Sequence, residues 1–450
     1  MKKKAEIQLS DSFSYSKLIR FVMPSVIMMI FTSIYSIVDG FFVSNFVNKT
    51  AFTAVNLVMP LLMILGAVGF MIGTGGVAIV ARTLGLGDKE MANRYFSFLT
   101  YFTIISGVIL AIVGIIFARP VAIFLGAEGE VLKEALTYVR VRSFEMVFTF
   151  FFAAFQSIRQ SRGDTLTPVI YSTIGIFVNV TLNWLFIYVW GWGVFGAAFA
   201  TVISIAVRAP FCFYHLFIEK TEARLSFSDL KPDFAYIKEL VRVAIPSAAA
   251  QAFTSLGFLI LNSAVLSYGS QVSVAFSLGN KLTNLLLMPI MAFGSVLTTF
   301  AGQNIGNDNP TRALQAYRCC RNLSLAIAIV GGVILFPFRA QAMALLSNDG
   351  EAVRIGTEYA AFVVFAQPLM GIFQSYISLF NGAGKTNYSF MMSTARLWGL
   401  RLPMIWLFRH FTDLGRFGIW WAVLLSLVFV DLFGMFLFKK VDLTKSLAKK

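Results

Sequence analysis

The sequence predicts an all-α membrane protein of twelve transmembrane helices, in two six-helix bundles related by a pseudo-two-fold axis along the membrane normal. Composition, the count of apolar runs and an internal repeat lead there. Of 450 residues, 58% are hydrophobic and 13% charged, with 47 Phe; mean hydropathy is +0.76. A water-soluble domain is nearer half apolar and a quarter charged, so this excess needs lipid as its solvent. Disorder, a secreted disulfide scaffold and nucleic-acid binding are excluded, because the basic residues behind the net charge of +15 are scattered between apolar runs. Cys212, Cys319 and Cys320 lie in or beside such runs and read as small buried hydrophobes.

A spanning helix needs about 20 mostly apolar residues. Twelve runs qualify, at 18–46, 52–81, 95–118, 138–158, 166–190, 194–218, 241–268, 272–302, 319–339, 357–380, 387–408 and 417–438. The basic start MKKKAEIQLSDSFSYSK shows no cleavage site, so the first helix is expected to stay. Placing both ends in the cytoplasm puts 24 of the 37 Lys and Arg inside and 9 outside, with Arg208, Lys281, Arg396 and Arg401 within spans. The expected layout is a cytoplasmic tail 1–17, a bundle 18–218, a cytoplasmic linker 219–240 with an interfacial helix from Pro232, a bundle 241–438 and a cytoplasmic tail 439–450, in the cell membrane.

The halves echo each other at one offset. Pro24 matches Pro246 and Phe195-Gly196 matches Phe417-Gly418, 222 apart; Gly73 matches Gly294, Gly85 matches Gly306 and Gly163-Asp164-Thr165 matches Gly384-Lys385-Thr386, 221 apart. Six spans per half give both halves one orientation, the parallel-repeat plan of many secondary transporters. Neither a filter-like segment nor a metal pattern around His215 and His410 argues for a channel or an enzyme. Gly382-Ala-Gly-Lys-Thr386 resembles a P-loop, but Leu379 stands where the first glycine belongs and a membrane helix precedes it.

A carboxylate near the bilayer centre costs about 3 kcal/mol. Asp39 and Asp431 are the acids to explain. Asp39 has Tyr35 and Ser36 on its own helix face, oxygens that suit a bound Na+ or a proton. Asp431, two turns before Lys439, reads as a solvated or paired structural residue, and Glu145 as a local ion-pair partner of Arg140 or Arg142. Asn179 and Asn183 lie four apart on one face of the fifth span, where interhelical hydrogen bonds or a polar pocket with Asp39 would satisfy them. Met28, Gln251 and Arg401 are further cleft candidates.

Pro24, Tyr35-Ser-Ile-Val-Asp39-Gly-Phe-Phe-Val43, Gly69 to Gly76, Ala81-Arg-Thr-Leu-Gly85 and Arg162-Gly-Asp-Thr165, with their second-half echoes, make the chain resemble the multidrug and toxic compound extrusion (MATE) transporters along nearly its whole length. The resemblance implies an antiporter that uses Na+ or H+ inflow to export organic cations and drugs by alternating access; the chain is expected to act as a monomer and to need no cofactor beyond the coupling ion. It also implies cation coupling at Asp39 and use of the polar positions Asn179 and Asn183. The chain departs from relatives that carry an acid at the second of those positions, and from those with a glutamate in the seventh helix, where Gln251 is the polar residue present. The alternative is a flippase or exporter of a lipid-linked or other anionic amphiphile, with Arg208, Lys281, Arg396 and Arg401 as its basic groups.

Overall fold

The computed structural model describes residues 89–161, 164–218, 234–347 and 349–440, with only some side chains between 234 and 270, and scattered positions between 19 and 86. Among the described residues every regular element is helical. The first half contributes α1 (Lys89–Phe124), α2 (Gly129–Ser143), α3 (Glu145–Ser161), α4 (Leu166–Asn183), α5 (Gly193–Ala206) and α6 (Arg208–Phe213). The second contributes α7 (Phe234–Leu266), α8 (Ser270–Gly306), α9 (Pro310–Leu346), α10 (Gly350–Gly382), α11 (Thr386–Thr394), α12 (Leu402–Phe411) and α13 (Phe417–Lys440). Three π-helical stretches interrupt this order: Trp184–Val189 after α4, Tyr214–Ile218 after α6, and Ala395–Arg401 between α11 and α12.

Spans three to twelve thus all appear as helix. Seven described helices are long and apolar enough to cross a membrane. The fourth span divides at Phe144 into α2 and α3, and the eleventh divides around its π turn. The interfacial helix expected from Pro232 is instead continuous with the seventh span, as the single helix Phe234–Leu266. Arg82, expected in a cytoplasmic loop, is buried in helix, because the second span's helix continues through residues 79–84.

The chain packs as two compact units, one holding Ile19–Ala244 and the other Ile245–Lys450. Their surfaces invert the soluble rule: Ile105, Ile109, Ile112 and Ile116 form an i, i+4, i+7, i+11 stripe on α1, each at least half exposed. Such a stripe is tolerable only against lipid. The largely aliphatic core of the second unit contains an aromatic stack, with Tyr359 4.3 Å from Trp420 and Phe276 6.2 Å away on the same indole.

The turn Gly382–Lys385 explains the P-loop look-alike. Gly384 takes a φ of +69°, which glycine adopts without penalty. The Lys385 N–H donates to the Phe380 carbonyl at 2.8 Å and the Gly384 N–H to the Asn381 carbonyl at 3.0 Å, a Schellman cap that stops α10. In the first half the Asp164 N–H donates to the Arg159 carbonyl at 2.9 Å, the same bond between the repeat-equivalent residues. The repeat therefore preserves a helix stop, and no nucleotide loop is present there.

Candidate functional site

In the first unit, Asn179 and Asn183 stand on α4 one turn apart and are at most 1% exposed. Asn183 Nδ2 donates to Asn179 Oδ1 at 2.8 Å, and Asn179 Nδ2 donates to Thr201 Oγ1 on α5 at 3.4 Å. The Thr201 hydroxyl donates onward to the Ala197 carbonyl at 3.0 Å. The chain of bonds fits the physics of lipid-embedded helices, where an amide must find protein partners. Asn183 is also the last α-helical residue before the π turn Trp184–Val189, a geometry frequent at functional positions. Asp39, Tyr35 and Ser36 lie outside the described residues, as does the side chain of Gln251. Met28 is half-buried.

Toward the α3–α4 turn, Arg159 Nη2 donates to His215 Nδ1 at 2.8 Å and pairs with Asp164 at 3.5 Å, while the Tyr171 hydroxyl bonds the other imidazole nitrogen. These contacts tie the fourth, fifth and sixth spans together and give His215 a packing role. Arg142 and Glu145 form the expected local pair at 2.9 Å.

The second unit holds charges that the sequence treated one by one. Arg396, Arg401 and Asp431 are all buried, at 7%, 5% and 8% exposure. Arg401 donates Nε to Ser426 Oγ at 3.1 Å and Nη2 to the Val423 carbonyl at 3.4 Å, both on α13. That is an interior anchoring role for this cleft candidate. Asp431 corrects the expectation of a solvated or paired residue. It lies more than two turns inside the end of α13, and neither carboxylate oxygen has a hydrogen-bond partner among the described residues. Lys281 is exposed on α8 and does not join this cluster. Among the described residues no group of three or more His, Cys, Asp or Glu gathers to hold a metal.

The family model MatE matches the chain twice, over residues 24–185 and 246–407. The chain belongs to the MatE family. The second match begins and ends at the offset that relates Pro24 to Pro246, so each compact unit holds one copy. As a MATE protein it is similar to the probable multidrug resistance protein YoeA of Bacillus subtilis, at 25% identity over 94% of both chains. It is also similar to a FAD transporter of Shewanella oneidensis, at 27% identity over 82% of each chain. Among solved structures, a MATE crystallised in complex with MaD3S superposes at a TM-score of 0.90, with 25% identity over 98% of this chain and 99% of the other. An outward-facing multidrug resistance MATE transporter superposes equally well, at 0.90 and 24% identity, over 98% of each chain. The chain is therefore an all-α, multi-pass membrane protein of a multidrug efflux family.

Proposed function

We propose that the protein exports organic cations across the cell membrane by alternating access, in exchange for inward H+ or Na+, with both termini cytoplasmic. The observation that carries this reading is the doubled MatE match, which spans both halves of a chain similar to named multidrug resistance proteins. Asp39 is the proposed coupling carboxylate and the site for H+ or Na+. Asn179 and Asn183 supply polar atoms to the same bundle, Tyr35 and Ser36 flank the acid, and no cofactor beyond the coupling ion is required. The energetics suit exchange: moving one charge against 100 mV costs about 2.3 kcal/mol, and an entering cation returns the same amount. The deciding experiment loads proteoliposomes with a cationic dye and imposes pH and Na+ gradients separately. Dye movement that ignores both gradients would overturn the reading.

A second reading, export of an amphiphilic anion, is favoured by the two guanidinium groups buried in the second unit and by the likeness to a FAD transporter. The same vesicles loaded with an anionic dye test it.

A further inference from the structure

Phe152 and Phe373 are repeat partners, standing at the same offset as Gly73 and Gly294. Each carries a guanidinium over its ring: Arg208 lies 5.2 Å from the Phe152 centroid, and Arg396 lies 4.6 Å from that of Phe373. The two arginines are not themselves repeat partners. Arg208 comes from α6, in the sixth span, whereas Arg396 comes from the π stretch of the eleventh, which corresponds to the fifth. The repeat partner of Arg396 is Gly175, and a Cβ at Gly175 would overlap the Arg208 guanidinium. The cation on the ring is thus kept while the helix that supplies it changes. Where the first half has Arg208, the second half has Asp431, a single position away from exact repeat register.

This exchange leaves the second unit with unspent polar atoms. Among the described residues Arg396 Nη1 reaches only a thioether, Met370 Sδ at 3.4 Å, and its buried Nε has no hydrogen-bond partner. Asp431 stands on α13, the helix that the same π stretch contacts through Arg401 and Ser426, yet among the described residues no ion pair forms at its carboxylate and both its oxygens are unpartnered. Arg401, by contrast, is occupied by Ser426 and Val423. Among the described residues, two buried guanidinium groups against one buried carboxylate leave an excess of positive charge in an apolar interior, which a bound anion would balance.

We propose that Arg396, seated on Phe373, anchors an anion-binding site in the C-terminal unit that takes the carboxylate or phosphate of an organic anion, with Asp431 as its built-in competitor. The ring holds the guanidinium, Met370 and Phe373 supply apolar contact, and a carboxylate or phosphate meets an Nε that no described residue uses. The inference concerns binding, so it stands whether or not an anion is carried across the membrane.

The test titrates the full-length protein, in phosphatidylcholine nanodiscs, with 1-naphthoate, 1-naphthyl phosphate and neutral 1-naphthamide by calorimetry. The two anions are expected to bind at least about tenfold more tightly than the amide, as a charge-assisted contact requires. Arg396→Gln should lose about that factor, and Asp431→Asn, which removes the competitor, should gain about tenfold. A gain cannot arise from misfolding, so the second variant decides the matter if the first does not fold. Weaker naphthoate binding in discs containing phosphatidylglycerol, abolished by Arg396→Gln, would identify a lipid phosphate as an occupant of the same site. Equal affinity for naphthoate and naphthamide, or an Asp431→Asn variant no tighter than wild type, would overturn the proposal.

Discussion

Asn183 donates its side-chain amide to Asn179 one turn earlier, at 2.8 Å, in a part of α4 closed to solvent. The bond links the last turn of α4 to Thr201 on α5, so two neighbouring spans share one polar chain through an apolar interior. Removing a link costs the buried amides one or more of their bonds.

Asn179→Ala is accordingly expected to destabilise the protein by about 1–3 kcal/mol, since it breaks two buried hydrogen bonds at about 0.5–1.5 kcal/mol each. Thermal unfolding in detergent reads this directly. A purely structural chain would leave the ion dependence of efflux untouched in the surviving protein, whereas a role in the coupling pocket weakens it.

Asp39→Asn should insert and fold yet lose gradient-driven dye export, because a neutral amide cannot alternate between a coupling ion and a cationic passenger. Vesicle efflux under separate pH and Na+ gradients measures it, and wild-type transport by the variant would remove Asp39 from coupling.

At the start of α10, outside the membrane-spanning segment, Asp349 caps the helix by accepting the N–H groups of Ala352 and Glu351. The Ala352 N–H bond first, then the Gln271 side chain and the Glu351 N–H, hold its carboxyl below the usual carboxylate range. A depressed folded pKa adds stability that is present above the unfolded value, about 3.9, and is lost as pH falls through the folded one. Melting temperature followed on the acid side of pH 4 should therefore drop less steeply in Asp349→Ala than in wild type. Identical acid limbs would sink that assignment.

Trp420, fully buried against Tyr359 and Phe276, should be among the most costly aromatic residues to truncate in the second unit. Trp420→Ala is expected to cost about 3–5 kcal/mol. Trp420→Phe keeps a ring in the stack and should recover part of that loss, as read by the same melting measurement.

Several features were legible from residue order because they depend on local or cumulative physics. The helical character of spans three to twelve follows from runs of apolar residues that only lipid or helix packing can absorb. The helix stop at Gly384 follows from turn chemistry that recurs at the equivalent turn of the first half. The Arg142–Glu145 pair needs only the i, i+3 spacing of its members. Asp431 departs from expectation for an equally physical reason: distance along the chain from Lys439 says how deep a residue lies, but not which way its helix turns it. Here the helix turns it inward.

By itself the sequence determined the membrane solvent, the all-helical fold, the duplication and the family, since each is a sum over many residues or a pattern repeated at fixed spacing. Only the tertiary structure decided which charges share a site. Arg396 and Arg401 are five apart, which on an ordinary α-helix would separate them by roughly 140°. The i→i+5 ladder of the π-helical stretch Ala395–Arg401 draws that spacing onto one buried side. Asp431 belongs to α13, a helix far along the chain that the π stretch contacts through Arg401 and Ser426, a placement created by packing and carried by no local pattern.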